Sequence, residues 1–572
     1  MSGLQTVDLA VLSVYLVAVL AVGMGLVRRV NSVAEYFMPR RFGKAMMVTH
    51  AFSTGTAADQ AVTVASATFT YGLSGIWYQW LWLFATPFYW LIAPVMRRFR
   101  ATTTADVLSL RFSPSVAMLF ALVGILNMTV KIGVLLKGSG ALVEAGTGGS
   151  INGKLAMALV TLIFVIYGTA GGLGTVIVVD FFQGILTVLF SVMLLPFVMH
   201  AVGGLEGIRH AVPRASMMSL VAPGEIGLFY VVMLSLQSLV GIIGQPFVMG
   251  VCGAGRTEMD GRFGFMVGNF VKRLCTIAWC LTALAGVAWY VQQGVDLAKL
   301  KPDNLYGDIA QAFLPRVLPG LLGVFLAAIL ACVMNSCVAY MIAGAGLWTA
   351  NLYRPAVPGK SARHYINAGR LAGLAIVAGG LAFAYWVPNV VKALEIWLRI
   401  GPVMGIAFWM GILWRRTTTA GAWAASLAAF GMWLLSTVPA FVRFVERFLL
   451  GQTLGFVWRE GGQSEIYEPW GIALYLAAGL LAGLVVSLAT GPAPAEKLAR
   501  FYGLIRTPIT PGERVEEPCT LPPGVIPPPP QRLVHFAGLE IPMPSRVSVA
   551  GFLAGWLGVA ALIGGFVLLV RS

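Results

Sequence analysis

Charged residues are scarce in this sequence. Asp, Glu, Lys and Arg make up 11% of 572 residues, whereas hydrophobic residues make up 58% and the mean hydropathy is +0.82. A water-soluble protein needs far more charge to cover its surface, so the composition excludes a soluble globular fold. Apolar runs of about 20 residues, the length that a helix needs to cross a bilayer core, recur along the chain. The sequence therefore predicts an all-α polytopic membrane protein.

Motifs for catalysis, metal binding and nucleotide binding are also missing. The six cysteines form no CxxC pair, which argues against a zinc site or a disulfide framework. No GxxxxGK[ST] loop is present, so ATP-driven transport is disfavoured. The five histidines form no HxxxD or HExxH arrangement of the kind expected in a membrane-embedded transferase. We therefore expect no enzymatic activity.

Positive charge is abundant, since 39 Lys and Arg against 23 Asp and Glu give a net charge of +16. The basic residues lie mainly in short loops between apolar runs, which is how the positive-inside rule encodes topology. Nucleic-acid binding is therefore not expected. Most of them, with Lys272 and Arg273 counted in an inside loop, fall on the cytoplasmic side if the N-terminus is outside. We expect an integral protein of a bacterial inner membrane with both termini periplasmic or extracellular.

The apolar runs predict fourteen transmembrane helices and four regions. Residues 1–490 form the transporter core, 439–469 a polar insert on the outside, 491–547 a Pro-rich segment extended over the cytoplasmic face, and 548–572 a C-terminal transmembrane helix. The predicted spans are 7–28, 45–70, 76–95, 115–146, 154–172, 175–201, 225–251, 266–293, 318–350, 365–387, 394–414, 418–438, 470–490 and 548–570.

Two apolar spans carry clusters of small and oxygen-bearing residues. Span 45–70 contains Ser53-Thr54-Gly55-Thr56, and span 318–350 contains Cys332, Asn335 and Ser336. Unwound backbone at membrane depth is tolerated where it lines a cavity, and freed carbonyls with hydroxyls suit Na⁺. A helix-packing seam and ordinary interhelical hydrogen bonds explain the two clusters equally well. The residues alone leave both possibilities open.

Intramembrane charges and a proline suggest further functional positions. Asp59, Lys131 and Asp180 lie near the middle of their spans, where a charge costs about 2.5–3.5 kcal/mol on insertion scales. Gln245-Pro246 predicts a second broken helix, because proline removes a backbone hydrogen bond. Two five-helix halves, about 45–201 and 225–414, would then each open with a discontinuous helix, which is the inverted-repeat arrangement of many symporters.

Several motifs in order resemble one transporter family. They are Tyr71-Gly72-Leu73-Ser74-Gly75; Thr104-Ala105-Asp106-Val107-Leu108 with Arg111-Phe112; Tyr167-Gly168 and Gly171-Gly172-Leu173 with Asp180 and Gln183; Gly244-Gln245-Pro246; Ala331 to Ser336 with Asn351-Leu352-Tyr353; and Trp414-Arg415-Arg416 with Thr419 to Ala422. Across residues 5–490 the chain resembles the sodium/solute symporter family, which implies the leucine-transporter-type five-plus-five inverted-repeat fold.

The resemblance implies a sodium site and an ion pathway. Asn335 stands where the family usually has serine; it keeps an oxygen ligand, so Na⁺ is expected as the coupling ion while proton coupling stays open. Val338 and Ala339 replace the serines of a second sodium site, and Asp180 would line the ion exit route. The implied sodium ligands are the carbonyls of Ser53, Thr56 and Cys332 and the side chains of Asn335 and Ser336.

The resemblance also implies a solute site. Lys131 would hold a substrate carboxylate, or it would pair with Asp59 and leave the substrate neutral. We expect a sodium-coupled symporter that imports a small organic solute by alternating access, with a preference for a carboxylate. The alternatives are a neutral sugar or amino acid, or a transporter-like sensor that signals through its tail. Membrane lipid is the other expected partner. The implied substrate-binding residues are Gly55, Asp59, Gln60, Gln79, Lys131 and Gln245.

Overall fold

The computed structural model describes residues 4–26, 33–222, 226–447, 454–460, 463–510, 512–513, 515, 517–536 and 538–571. These residues are mostly helical, with one antiparallel hairpin, β1 (Val457–Glu460) and β2 (Gln463–Ile466). The first half comprises α1 Thr6–Leu26, α2 Val33–Phe37, α3 Lys44–Ser53, α4 Ala58–Tyr71, α5 Trp77–Trp80, α6 Thr86–Arg98, α7 Thr104–Arg111, α8 Pro114–Gly146, α9 Gly153–Met193, α10 Leu195–Val202 and α11 Gly204–Ala211.

The second half continues the same architecture. It comprises α12 Leu228–Ile242, α13 Phe247–Gly253, α14 Glu258–Gln292, α15 Leu305–Val317, α16 Leu321–Leu347, α17 Arg354–Ala356, α18 Ala362–Trp386, α19 Val390–Leu413, α20 Thr419–Ser436, α21 Pro439–Arg447, α22 Glu468–Ala489, α23 Ala495–Arg506 and α24 Arg546–Arg571. A π-helical turn, Trp348–Tyr353, joins α16 to α17.

Length and apolar composition identify nine helices in the described residues that can each cross a bilayer, or ten if the bent pair α12–α13 counts as one span. Thr6–Val19 and Gly153–Ile166 are shorter apolar helices. The all-α polytopic prediction is confirmed. The number of fourteen is not confirmed by this measure, because the other predicted spans are shorter, broken or more polar, and it stays a prediction.

Both predicted helix breaks are present. Between α3 and α4 the chain leaves the helix at residues 54–57, with Ala57 extended at φ −139° and ψ 177°. Between α12 and α13 the axis bends by 71° at Gly244-Gln245-Pro246. A third break lies at Gly172, whose φ of +65° suits glycine and whose added Cβ would lie 2.7 Å from the Tyr36 carbonyl oxygen. This glycine separates the predicted spans 154–172 and 175–201.

The Pro-rich segment packs on the ends of the core helices. It is not wholly extended, because α23 forms within it and buries Phe501 and Tyr502. Glu513 pairs with the buried Arg100 at 2.5 Å, and the carboxylate of Glu540 accepts from three arginines at 2.6–2.8 Å. The three arginines are Arg415, Arg506 and Arg532. The segment therefore lies on the same face as the loops after α6 and α19.

Two basic residues lie elsewhere than the sequence indicated. The charge pattern counts Lys272 and Arg273 with an inside loop, although both fall in the predicted span 266–293. In the structure α14 begins at Glu258 and carries both within its buried stretch. Their side chains are 6% and 2% exposed. They belong to the centre of the molecule rather than to its basic surface.

Candidate sodium and solute sites

The broken helix α3–α4 packs against one face of α16. The Ser336 hydroxyl donates to the Ser53 carbonyl oxygen at 3.0 Å, and the Tyr340 hydroxyl donates to the Thr54 carbonyl oxygen at 2.6 Å. Cys332 lies one turn before Ser336 on the same face, since residues four apart in a helix are neighbours. Two of the residues expected to bind sodium, 283 positions apart in the chain, are therefore in direct contact.

Asn335 adds an amide group beside this contact. Its side chain is 1% exposed, and both of its amide atoms lack a hydrogen-bond partner among the described residues. A buried amide without partners costs free energy unless a ligand or water satisfies it. Backbone carbonyls, one amide oxygen and one hydroxyl form a set of hard oxygen donors. These residues therefore fit Na⁺.

Asp180 belongs to α9, which also packs against α3. Its Oδ2 is 2.5 Å from Nδ1 of His50, and its carbonyl oxygen accepts from the Ser53 hydroxyl at 3.4 Å. The Thr54 hydroxyl is 3.1 Å from the same imidazole nitrogen. His50 was not predicted as a site residue. Its position, one turn before Thr54 within an apolar span, was the available signal.

A cavity in the centre of the helix bundle brings together residues from both discontinuous helices. Of the predicted solute contacts, Gly55, Gln60, Lys131 and Gln245 line it. Gln79 and Asp59 are not part of its lining, although each contacts a residue that is. The lining residues that the sequence did not predict include Trp82, Asn269, Lys272, Arg273, Tyr340 and Trp397.

Lys131 and Asp59 form a buried ion pair. The ammonium nitrogen of Lys131 is 2.9 Å from Oδ2 of Asp59 and lies 4.3 Å from the centroid of the Trp397 ring. The Gln60 amide donates to the carbonyl oxygen of Gly55 in the helix break. The charge of Lys131 is therefore already balanced within the protein.

Lys272 and Arg273 bring further positive charge to the cavity. Neither forms an ion pair with another described residue; Arg273 donates to the Gln79 carbonyl oxygen and lies over the Trp82 ring at 5.5 Å. The ammonium of Lys272 lies against Gly55, where an added Cβ would be only 2.6 Å from the nitrogen. A glycine in the break thus allows this cation to approach the backbone closely. The lining therefore carries two basic groups besides Lys131, and Asp59, the carboxylate that acts electrostatically on Lys272, is already paired with Lys131.

Comparison with known proteins places this geometry in a family. A family model described as the sodium:solute symporter family matches residues 36–429. The osmoregulated proline transporter OpuE of Bacillus subtilis is 25% identical over 86% of this chain and 97% of its own length. The sodium/pantothenate symporter of Haemophilus influenzae is 25% identical over 74% and 90% of the two chains.

A solved structure of a Na⁺-coupled sialic acid symporter, in a substrate-bound outward-open state, shares the fold. It superposes with a TM-score of 0.67 at 17% identity and covers 86% of this chain and 99% of its own. The chain belongs to the sodium:solute symporter family, and it is a sodium-coupled membrane transporter of a small solute rather than an enzyme.

Proposed function

We propose that this transporter imports a small organic solute bearing a carboxylate group, and that Lys272 binds this carboxylate. The observation that carries the proposal is the buried ammonium of Lys272 beside Gly55, which forms no ion pair with a carboxylate among the described residues. Burial disfavours the charged form of a lysine that has no ion pair, so a carboxylate on the ligand would stabilise the ammonium of Lys272 on binding. Arg273, the next residue of α14, also lines the cavity and adds to its positive potential.

The proposed sodium ion binds between the two helices at the break. Carbonyls of Ser53, Thr56 and Cys332 and the side chains of Asn335 and Ser336 would surround it. Bound Na⁺ replaces the Ser336–Ser53 hydrogen bond, fixes the broken helix against α16 and shapes the adjoining cavity for the solute. Rocking of the helix bundle then exposes the sodium ion and the solute to the cytoplasm, and Asp180 lines the route by which the ion leaves its site.

Energetics follow from this arrangement. Sodium must raise solute affinity by the same factor by which the solute raises sodium affinity. An inward-negative potential adds about 2.3 kcal/mol per charge per 100 mV to sodium entry. A singly charged acid carried with one sodium moves no net charge, so this electrical contribution cancels and the sodium concentration gradient drives accumulation of the acid.

A neutral sugar or amino acid is the second candidate. The 2.9 Å ion pair between Lys131 and Asp59 favours it, because Lys131 is then not available to bind a substrate carboxylate. The relatives are named as transporters or symporters, so the sensor alternative is not retained.

Uptake by the full chain in proteoliposomes tests the proposal. Organic acids, amino acids and sugars are compared with Na⁺ against choline outside. We expect Na⁺-dependent uptake of an acid, and we expect Lys272→Gln to raise its KM at least about tenfold, because one partner of a buried charge pair is lost. Lys299→Gln, which removes an exposed lysine, is the matched control.

Sodium-induced thermal stabilisation separates a lost solute contact from a misfolded protein. Lys272→Gln should keep this stabilisation, because none of the proposed sodium ligands is altered. Selection of a sugar or neutral amino acid, or acid uptake with an unchanged KM in Lys272→Gln, would reject the carboxylate assignment.

A further inference from the structure

A cleft at the C-terminal end of α16 lies outside the transport site. The π-helical turn after α16, the start of α7, the start of α18 and the Pro-rich segment surround it. Its lining includes Asp106, Thr349, Arg354, Lys360, Tyr365 and Pro518. By the predicted topology it opens to the cytoplasm.

Two basic side chains line this cleft without an ion pair inside the described part of the chain. They are Arg354, the first residue of α17, and Lys360, on the loop before α18, and both are exposed. The Arg354 guanidinium is 5.7 Å from the centroid of the Tyr365 ring. The Tyr365 hydroxyl accepts from the Lys360 backbone N–H at 3.1 Å and donates to the Val357 carbonyl at 2.8 Å. Tyr365 therefore holds both basic residues at the rim.

Asp106 is the lining carboxylate, and its oxygens are already engaged. Oδ2 accepts from the backbone N–H groups of Thr102 and Thr103 at 3.0 and 2.8 Å, which caps α7. Oδ1 accepts from the Asn351 amide at 2.8 Å. Asp106 and Asn351 thus join α7 to the π-turn and build a wall of the cleft, and Asp106 forms no ion pair with either basic residue.

A buried hydroxyl in the π-turn lies unsatisfied on the same lining. Thr349 is 1% exposed, and its Oγ1 has no hydrogen-bond partner in the residues that the structure describes. Single π-turns inserted in helices are frequent at functional sites. The N-terminus of α18 opens into the cleft at Ala362. Ser361 caps this helix by accepting from the His364 backbone N–H at 3.3 Å, and the positive end of the helix dipole favours an anion there.

We propose that this cleft binds a phosphate group, held by Arg354, Lys360 and the Thr349 hydroxyl. A guanidinium presents several donors to phosphate oxygens, and an ammonium adds a mobile point charge. The phosphate belongs either to a soluble ester or to a lipid headgroup at the membrane surface. Because α16 continues into the π-turn, the bound group would fix the end of the helix that carries Asn335 and Ser336.

Thermal unfolding of the full chain in nanodiscs tests this site, with neither Na⁺ nor transported solute present. In phosphatidylcholine discs, inorganic phosphate as its potassium salt is titrated against potassium chloride of equal ionic strength. In a second arm, phosphatidylglycerol replaces part of the phosphatidylcholine. We expect a saturable rise in Tm with phosphate, with phosphatidylglycerol, or with both, and the arm that responds identifies the source of the phosphate group.

Variants decide whether the cleft is responsible. Arg354→Gln with Lys360→Gln should raise the half-saturating phosphate concentration, or the required mole fraction of phosphatidylglycerol, at least about tenfold. Thr349→Val should weaken binding while leaving both charges in place. Lys299→Gln with Arg316→Gln removes two exposed charges outside the cleft and should change nothing. No response in either arm, an equal response to chloride, or an unchanged response in Arg354→Gln with Lys360→Gln would overturn the proposal.

Discussion

At the scale of single residues, Asn335 and Ser336 are the side chains on which the sodium proposal depends. Replacing both with alanine removes two of the five proposed oxygen ligands and the hydrogen bond to Ser53. We expect sodium-dependent uptake to be abolished, because the remaining carbonyls cannot complete the coordination shell. The measurement is initial uptake in proteoliposomes across a range of Na⁺ concentrations.

Ser426→Ala is the control for this pair. Ser426 is a buried serine in α20 whose hydroxyl contacts Met404, away from the broken helices. It should keep the wild-type sodium dependence. The assignment fails if the double variant retains an unchanged dependence on Na⁺. Uptake driven equally well by a proton gradient in the wild type would instead favour proton coupling.

Residues of the two sites could be predicted from the sequence to different extents. Ser53 and Ser336 were paired through the family resemblance, and the structure brings them into contact. The sequence does not identify Lys272 and Arg273 as site residues, because they lie near the start of the predicted span 266–293 and are counted with the adjoining basic loop. Since α14 begins at Glu258, Lys272 lies about four turns inside it. Lys131 and Asp59 were identified, but their pairing was left open because only the packing of α4 against α8 decides it.

At the scale of whole elements, the helix breaks were the most predictable features and the tail the least. Glycine and proline act on the local backbone, so the interruptions at Gly55 and Pro246 can be read from the chain. The Pro-rich segment was expected to be extended, yet α23 forms in it with its apolar side buried on the core. That helix depends on tertiary packing, which a compositional argument does not include.

Glu540 provides the central anchor of this segment. The backbone N–H of Glu540 donates to the Leu413 carbonyl at 2.8 Å, while its carboxylate joins Arg415, Arg506 and Arg532. Burial by itself would raise the pKa of this carboxyl. The hydrogen bonds from Arg415 and Arg506 and the charges of Arg506 and Arg532 outweigh burial and hold the pKa below its ordinary value of 4.5.

We expect Glu540→Gln to loosen the Pro-rich segment from the core. Loss of the charge-assisted hydrogen bonds should cost about 2 kcal/mol of docking free energy, or about a 30-fold larger undocked population. Limited proteolysis with trypsin at neutral pH measures this as faster cleavage between α23 and α24. Glu517→Gln, which alters an exposed glutamate of the same segment, is the control, and equal cleavage rates in both variants would contradict the anchor.

The same carboxyl predicts the pH dependence of docking. Because its pKa is lower in the folded state, its contribution is fully present above the unfolded value of about 4.5 and is lost as the pH falls through the lowered value. Pepsin cleavage of the wild type should therefore accelerate below about pH 4.5. In Glu540→Gln this acceleration should be reduced, since the titrating group is absent.

At the scale of the whole molecule, the predicted outside and inside loops gather at two separate faces. Segments around Tyr71, Asn152, Lys301 and Asn389, all predicted outside, line one cleft. On the other face, Arg98 pairs with Glu258 at 2.7 Å, and predicted inside loops contact one another throughout. This grouping supports the alternation of the predicted spans between the two faces.

Labelling of single introduced cysteines determines which of the two faces is cytoplasmic. Gln293 and Ala356 are exposed and lie on the two sides of the single long helix α16. All six native cysteines are buried, so a membrane-impermeant maleimide should label them little. Even without Lys272 and Arg273, the loops on the face of Arg40, Arg98 and Arg415 carry the excess of positive charge, which the positive-inside rule places in the cytoplasm. In intact cells we expect Gln293→Cys to be labelled at once and Ala356→Cys to be labelled only after permeabilisation. The reverse pattern would invert the topology. Labelling of both cysteines from outside would contradict the crossing of the membrane by α16.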